Sequence, residues 1–360
     1  MDLERKIELV SRPPTEEVLT KDELRSLFET NDRPRHYIGF EISGKIHVGS
    51  GVMTALKIKD FLEAGVKPTI FLADFHTWIN NKLGGDLEKI REVARGYFTA
   101  GFVSLGLPED KVDYVLASEL YDLGYWSDVI RISKATTLAR MQRCMVIMGR
   151  TEGEAVESAS MLYPAMQAAD VFRQDLDIVH AGMDQRKVHV LAREVAEKLG
   201  KKKPVAVHAH LLQGLQQASR MGYDVDARKD LEISGKMSKS KPGSCIYIHD
   251  SVEEISGKLK DAYCPPKTIE GNPVMELCEY VLMREEGKPL AVERPAKFGG
   301  NAEFGSIAEL KKAYSEGALH PMDLKGAAAR ELSALLAPCR EYFAKRPELI
   351  AQINEASVTR

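Results

Sequence analysis

The sequence predicts an α/β domain with a parallel sheet, followed by a smaller all-helical domain. Three observations support this prediction. Apolar strand-like segments alternate with helix-length segments through the first two-thirds of the 360 residues. A Gly-rich loop and polar turns follow several of these segments, and the last third shows amphipathic helical periods joined by Pro/Gly-rich links. Such alternation forms right-handed βαβ units, which make the sheet parallel.

The elements of the first domain follow from their residue types. Buried strands are predicted at His36–Phe40, Lys67–Asp74, Val112–Ala117, Asp177–Gly182 and Val205–His208. Helices are predicted at Met53–Glu63, Leu87–Leu105 and Arg186–Leu199. Ligands of open α/β sheets bind at the carboxyl ends of the strands. The loop Gly39–Gly51, Asp74 and the turn Gly182–Gln185 are therefore expected around the site.

The last third predicts a separate helical domain. Its amphipathic segments are Val252–Ala262, Met275–Met283, Ile307–Glu316 and Asp323–Pro338. We accordingly divide the chain into an N-terminal helical segment, the sheet domain and the helical domain, at 1–30, 31–245 and 246–360.

Composition excludes several classes of protein. Hydrophobic residues make up 44% and charged residues 29% of the chain, which excludes a disordered or fibrous protein. The five cysteines form no C-x-x-C pair, which argues against a zinc ribbon or disulfide scaffold and suits a reducing cytoplasm. Neither a signal peptide nor a membrane span is expected. The net charge of −3 restricts any nucleic-acid site to a local basic patch. Candidates are Lys201–Lys203 and the group Arg140, Arg143 and Arg150, which fit solvated helix ends equally well.

The stretch GFEISGKIHVGSG, Gly39–Gly51, fits two phosphate-binding motifs incompletely. Gly39–Lys45 has the P-loop spacing G-x-x-x-x-G-K, but Ile46 stands where the motif needs a hydroxyl for Mg²⁺. Glu41 would also place a carboxylate among the phosphates. His47-Val48-Gly49-Ser50 matches the nucleotide motif H-x-G-H at three of four positions.

A second motif decides between these interpretations. Residues 235–244 read GKMSKSKPGS, in which ammonium groups can close on a polyphosphate while hydroxyls and backbone N–H groups surround it. A given pentapeptide occurs by chance on the order of once in a million positions. KMSKS matches a loop of class I aminoacyl-tRNA synthetases, which pair it with an upstream HIGH motif between the first strand and its helix. The stretch from His47 is therefore interpreted as HIGH, with Ser50 replacing the second histidine.

From about Tyr37 to Pro338 the chain resembles the archaeal and eukaryotic-type tyrosyl-tRNA synthetase family. The resemblance is carried by YIGFEISGKIHVG, FLADFHTWIN, MLYPAMQAAD, AGMDQRKVH, GKMSKSK, AYCPP, EGNPVME, RPAKFGG and LHPMDLK. It implies a Rossmann-like catalytic domain at 31–245, with a connective region at about 120–165 and the KMSKS loop at 235–241. It also implies an anticodon-binding domain at 246–360. The implied activity joins L-tyrosine to tRNA(Tyr) through a tyrosyl-adenylate made from ATP.

The resemblance further implies the tyrosine pocket. Tyr37 and Asp170 would bond the phenol hydroxyl, and Tyr163, Gln167 and Gln185 would hold the amino group. The spacing i, i+4 and i+7 independently puts Tyr163, Gln167 and Asp170 on one helical face. A buried polar network between helices would explain the same spacing.

For ATP, the resemblance implies binding by Gly44, His47, Gly49, Asp184, Met237, Ser238 and Lys239. The implied catalytic set is His47, Gly49, Ser50, Lys236 and Lys239. Neither step needs a protein nucleophile, so catalysis would come from positioning and from stabilising phosphate charge. Mg²⁺ would accompany ATP, and neither a resident metal nor a tightly bound cofactor is expected. We assign structural roles to the cysteines and to His76, His180, His189 and His208.

For tRNA, the resemblance places Arg186 near the first acceptor-stem base pair and Phe298, His320 and Asp323 at the anticodon. A stacking ring and a carboxylate that accepts from a base edge are how single-stranded RNA is read. Asp323 equally fits the first turn of a helix. The resemblance also implies a homodimer formed through Ser133–Gly149. There Met141, Cys144, Met145 and Met148 make an apolar stripe that fits a core equally well.

Three alternatives remain open. A tryptophan–tRNA ligase has the same architecture, and an indole N–H could also donate to Asp170. A catalytically silent RNA-binding relative would be expected to lose KMSKS, Gln185 and Asp170, and a small-molecule nucleotidyltransferase would lack the KFGG and HPMD stretches. The segment Gln216–Ser234 is longer than in shorter archaeal members, and it is either an ordered hairpin or flexible.

Overall fold

The computed structural model describes residues 1–149, 157–223, 226–239, 242–285 and 287–358. The chain forms two compact units. Unit 1 comprises Met1–Gly44, Lys57–His210 and Glu348–Arg360, and unit 2 comprises Lys45–Leu56 and Leu211–Pro347. The units divide the chain at other places than the predicted domains, whose boundaries remain predictions.

Unit 1 contains a six-stranded sheet in the order β1-β6-β5-β2-β3-β4. The strands are β1 Thr15–Leu19, β2 Arg35–Phe40, β3 Lys67–Leu72, β4 Asp113–Leu116, β5 Ile178–Gly182 and β6 Val205–Ala209. β2 to β6 are parallel, as predicted, and β1 pairs antiparallel with β6. The predicted N-terminal helical segment at 1–30 also contains β1, which the sequence did not predict because the half-exposed edge strand TEEVL carries no apolar run.

The helices of unit 1 lie before, between and after these strands. They are α1 Leu3–Ser11, α2 Lys21–Thr30, α3 Val52–Glu63, α4 Asp74–Ile79, α5 Leu87–Val93, α6 Thr99–Ser104, α7 Leu123–Ala135, α8 Leu138–Cys144, α9 Tyr163–Arg173, α10 Arg186–Lys198 and α17 Pro347–Val358. α3 begins in unit 2, and α17 has only Pro347 there. The helix predicted at Leu87–Leu105 contains a π-helical turn, Ala94–Phe98, between α5 and α6.

The strand order reverses at β2, which has β3 on one side and β5 on the other. Tyr37 of β2 is in register with Thr69 of β3 and with Val179 of β5. In open α/β sheets the crevice at such a switch point, beyond the carboxyl ends of the strands, is where ligands bind. The residues that follow β2 and β5 are therefore placed around a binding crevice.

Unit 2 is mainly helical. Its helices are α11 Ala227–Gly235, α12 Val252–Asp261, α13 Pro273–Leu277, α14 Ile307–Glu316, α15 Pro321–Leu335 and α16 Ala337–Ala344. It also holds a two-stranded antiparallel ribbon, β7 Leu290–Val292 with β8 Ala302–Phe304, so the predicted all-helical domain is wrong in this detail. Across the described ranges, no helix is both long and apolar enough to cross a membrane.

Candidate active site

Tyr37 on β2 is buried, with 2% of its surface exposed. Its ring packs edge-on against Phe71, with ring centroids 5.8 Å apart, and the side chain of Gln167 lies beside its hydroxyl. Burial, and then the nearby charge of Asp170, raise the pKa of Tyr37. The phenol therefore stays protonated and can donate a hydrogen bond.

Asp170 lies on the face of α9 that also carries Tyr163 and Gln167. Its Oδ1 accepts a hydrogen bond from Tyr121 Oη at 3.0 Å, and its Oδ2 lies 3.7 Å from Nε2 of His76. The residue is 2% exposed, and burial raises the pKa of its carboxyl well above the usual value. The structure thus brings Tyr37, Gln167 and Asp170 into one buried polar cluster.

Sequence reasoning missed Tyr121, a member of this cluster, and gave His76 only a structural role. Tyr121 follows β4 and stacks on Tyr125, with ring centroids 3.8 Å apart. His76 Nδ1 lies 3.4 Å from Tyr121 Oη, and its ring packs edge-on against Tyr163 at 4.5 Å. Burial lowers the pKa of His76 to about 3, so the ring is neutral. Its position just after β3, beside Asp74, was the available signal that it faces the pocket.

Glu41 lies at the other end of the cluster. Its Oε1 accepts hydrogen bonds from Tyr163 Oη and from Asn80 Nδ2, both at 2.8 Å. Gln167 Nε2 donates to Gln185 Oε1 at 3.4 Å, and Gln185 Nε2 donates to the carbonyl of Ile147 at 3.1 Å. The carboxylate therefore belongs to a set of convergent polar groups. In the sequence analysis Glu41 served only as an argument against the P-loop interpretation.

His47 precedes α3 in unit 2 and is 6% exposed. The backbone N–H of Ser50 donates to its Nδ1 at 3.3 Å. Because Nδ1 accepts, the ring proton must lie on Nε2. Burial, and then the charges of Lys239 and Lys236, lower the pKa of His47 to about 3. His47 is therefore a neutral donor rather than a cation.

The residues around His47 explain the departures from the motif. The bond that orients the ring comes from the Ser50 backbone, so it does not require a second histidine at that position. A Cβ at Gly49 would lie 3.3 Å from Met237 Cβ and 3.3 Å from His47 Nδ1, which accounts for the glycine. Gly44 has φ 111°, which favours glycine. Ile46 is 1% exposed, so it is a core residue.

The KMSKS loop is held at both ends by the segment Leu212–Leu215. Met237 N–H donates to the Leu212 carbonyl, Gly214 N–H to the Gly235 carbonyl and Leu215 N–H to the Ser244 carbonyl, each at 2.8 Å. Ser244 Oγ donates to the Ser238 carbonyl at 3.2 Å. Met237 is 5% exposed and anchors the loop, while Lys236 and Lys239 bring positive charge towards His47. Residues 240 and 241 of the predicted loop lie outside the described residues.

The turn Met183–Gln185 follows β5 and leads into α10. Asp184 in this turn is half-buried, and Arg186 starts the helix. Arg186 Nε donates to Glu17 Oε2 at 2.8 Å, so the predicted tRNA contact forms an ion pair inside unit 1. His208 Nδ1 lies 2.8 Å from the same carboxylate oxygen and His189 Nδ1 lies 3.1 Å from His208 Nε2, which supports the structural assignment of both histidines.

Two of the predicted anticodon residues, His320 and Asp323, lie at the start of α15. His320 is the N-cap, and its Nδ1 accepts from Met322 N–H at 3.2 Å. Asp323 lies in the first helical turn, where a carboxylate is favoured. Asp323 therefore fulfils its predicted local role, which leaves a base contact possible as well. The side chain of Phe298 lies outside the described residues.

Four residues of the candidate basic patches form ion pairs. Lys201, Lys202 and Lys203 form ion pairs with Asp128, Asp177 and Glu23 at 2.8, 3.0 and 2.7 Å. Arg140 pairs with Glu194 at 3.1 Å, and Arg150 lies outside the described residues. These pairs favour the interpretation as solvated helix ends over a nucleic-acid patch.

Comparisons with known proteins agree on one family. The model for class I tRNA synthetases of the tryptophan and tyrosine type matches residues 29–223 and 227–337. Tyrosine–tRNA ligases of Thermococcus sibiricus and Pyrobaculum calidifontis are 52% and 44% identical, over 100% of both chains.

Solved structures show the same fold. The tyrosyl-tRNA synthetase of Pyrococcus horikoshii, complexed with L-tyrosine, has a TM-score of 0.92 at 50% identity and covers 98% of this chain and 100% of its own. The tryptophanyl-tRNA synthetase of Plasmodium falciparum, at 19% identity and a TM-score of 0.70, shares the fold alone. The chain belongs to the tyrosyl-tRNA synthetase family of class I aminoacyl-tRNA synthetases.

Proposed function

We propose that this protein is a tyrosine–tRNA ligase that makes tyrosyl-adenylate from L-tyrosine and ATP and then charges the terminal adenosine of tRNA(Tyr). The observation that carries the proposal is the buried pair Tyr37 and Asp170, which places a donor and an acceptor deep in an aromatic pocket. A phenol hydroxyl can both donate and accept, so it satisfies both groups. An indole N–H only donates, which leaves Tyr37 unsatisfied and disfavours tryptophan.

At the other end of the substrate, Tyr163, Gln167 and Gln185 hold the ammonium group. Glu41 adds a carboxylate bonded to Tyr163 at 2.8 Å, so this end is anionic and suits an ammonium. His76 and Tyr121 complete the pocket beside Asp170. The proposal thus retains the predicted residues and adds three.

In the adenylation step the tyrosine carboxylate attacks the ATP α-phosphorus, and the bond to pyrophosphate breaks. His47 Nε2–H and the ammonium groups of Lys236 and Lys239 stabilise the charge that develops on the phosphate oxygens. Gly44, Gly49, Met237 and Ser238 bring backbone close to the nucleotide, Ser50 orients His47, and Asp184 takes the ribose. Mg²⁺ enters with ATP as part of the substrate. In the second step the terminal adenosine hydroxyl attacks the activated carbonyl and AMP leaves.

For tRNA we assign the acceptor stem to Arg186 and the anticodon to Phe298, His320 and Asp323. His320 is exposed, which suits stacking on an unpaired base. Arg186 must exchange its ion pair with Glu17 for a contact to the tRNA. The five cysteines are free and buried, which suits a cytoplasmic enzyme.

Tyrosine is expected to drive pyrophosphate exchange into ATP, while tryptophan and phenylalanine are not. The exchange measured with each amino acid alone tests substrate and activity together. Exchange with tryptophan alone would refute the tyrosine assignment. A complete lack of exchange would favour a silent RNA-binding relative, which KMSKS, Gln185 and Asp170 argue against.

We also propose that the protein is a homodimer, although most of the predicted apolar stripe belongs to the core. Met141, Cys144 and Met148 are at most 5% exposed and belong to the core of unit 1. Three large apolar side chains are exposed nearby: Leu123 and Ile130 of α7, at 86% and 61%, and Leu138 of α8, at 65%. The interface we propose uses the two on α7. Their spacing of seven residues puts them on one helical face, which suits a second copy of the chain.

Ile130→Asp is therefore expected to convert a dimer into a monomer, because it places a charge in an apolar interface. Sedimentation equilibrium of both proteins checks this. Val252→Asp is the control: it changes an exposed residue, 46% accessible, at the first turn of α12, where Asp is favourable. A monomeric wild-type protein, or an Ile130→Asp dimer of unchanged affinity, would contradict the interface.

A further inference from the structure

The segment before the KMSKS loop is built around one buried carboxylate. Asp230 of α11 has no exposed surface. It accepts hydrogen bonds from Arg220 Nε at 3.1 Å, Tyr223 N–H at 2.6 Å and Ser234 Oγ at 3.2 Å. Burial alone would raise the pKa of this carboxyl, but bonds from the Gly222 and Tyr223 backbone, Arg220 and Ser234 hold it below its usual value. Asp230 is thus an ionised anchor around which the chain from Arg220 to Tyr223 wraps.

The same anchor reaches the KMSKS loop through the last turn of α11. Ser234 Oγ also accepts from Met221 N–H at 3.0 Å, so one hydroxyl joins the wrapped chain to the helix. At the next residue, a Cβ on Gly235 would lie 2.6 Å from Ala218 Cβ. The described part of the segment is therefore closely packed, and it contains the helix α11 instead of the hairpin that the sequence suggested. The residue that follows this contact is Lys236.

We propose that residues 216–223 and α11, which we call the Asp230 clamp, position the KMSKS loop for the ATP-dependent step. Asp230 is a positioning residue in this scheme, which rests on the proposed function. The segment Leu212–Leu215 holds the loop on one side. The clamp fixes the end of α11 and so determines the position of Lys236, which follows it. Donors held in place before the reaction cost no reorganisation in the transition state, and misplacement by about 1 Å costs on the order of a hundredfold in rate.

The test compares two identical chemical changes on one helix. Asp230→Asn removes the buried charge, while Asp226→Asn changes the N-cap of α11, whose Oδ1 accepts from Arg228 N–H at 2.9 Å, to another good capping residue. We expect Asp230→Asn to lower kcat of tyrosine-dependent exchange roughly tenfold with KM for tyrosine unchanged, and Asp226→Asn to match wild type. An unchanged kcat, or proportional changes in kcat and in KM for tyrosine, would overturn the clamp.

Hydrogen exchange separates failure of the clamp from failure of the proposed function. The Met237 amide, bonded to Leu212, should exchange faster in Asp230→Asn than in wild type, whatever the reaction is. Faster hydrogen exchange at Met237 in Asp230→Asn, in a protein without tyrosine-dependent activity, would overturn the proposed function but keep the structural action of the clamp. Unchanged hydrogen exchange at Met237 in Asp230→Asn, in an enzyme with tyrosine-dependent activity, would overturn the clamp alone.

A rescue experiment tests the contact between the clamp and the loop. Alanine favours a helix over glycine by about 1 kcal/mol, so Gly235→Ala should help α11 unless the contact with Ala218 prevents it. We expect Gly235→Ala to lower kcat of exchange roughly tenfold. Adding Ala218→Gly, which removes the opposing Cβ, should restore most of the rate. A double variant as slow as the single one would overturn the contact.

Discussion

Asp170→Ala is expected to lower the preference for tyrosine over phenylalanine by about ten- to a hundredfold, and Tyr37→Phe to lower it less. Tyrosyl-tRNA synthetases are known to reject phenylalanine by about 10⁵ without editing, and we adopt that magnitude. A hydrogen bond to a charged group contributes about 1.5–3 kcal/mol, and a neutral one about 0.5–1.5 kcal/mol. Truncation of Asp170 also removes the carboxylate that accepts a hydrogen bond from Tyr121 Oη. The ratio of kcat/KM for the two amino acids in pyrophosphate exchange measures the effect.

A matched control and a pH profile sharpen this expectation. Asp122→Asn removes an exposed carboxylate that pairs with Arg173 of α9 and caps α7, so the ratio should stay at the wild-type value.

Because burial raises the pKa of Asp170, its carboxyl gains a proton as the pH falls through that raised value. The tyrosine preference should therefore be largest at high pH and decline on acidification. Asp170→Asn should show no such decline. Unchanged ratios in both Asp170→Ala and Tyr37→Phe would refute the pocket.

The parallel strands were predictable because central strands carry nearly continuous apolar runs, and helices separate them at regular intervals. The edge strand β1 was not, because TEEVL has one polar side and acquires its identity only by pairing with β6. The two-stranded ribbon of unit 2 was not predicted for a similar reason, since each of its strands has only three residues. Elements whose stability depends on a distant partner leave little periodicity in the sequence.

Some residues of the candidate site were likewise predictable from the sequence, and others were not. Tyr37, Gln167 and Asp170 lie within motifs, and helical spacing alone groups two of them. Tyr121 contacts Asp170 across 49 residues of sequence, and Glu41 contacts Tyr163 across 122 residues. Their roles arise from the fold, which no local pattern records. The neutral state of His47 likewise follows from its burial and from the Ser50 N–H, which the motif does not reveal.

His47→Ala is expected to lower kcat of tyrosine-dependent exchange by about 10²–10³, the usual cost of removing one donor aimed at developing negative charge. KM for tyrosine should stay unchanged, since the pocket residues belong to unit 1. His47→Gln, which keeps an N–H donor, should recover part of the loss. The pKa of His47 is lowered to about 3, so the ring is already neutral well below physiological pH. The wild-type rate should therefore not fall near pH 6.5. The comparison is with His47→Gln, in which a fall caused by protonation of the imidazole would be absent. Such a fall would mean that the ring acts as a cation, and it would contradict the neutral donor.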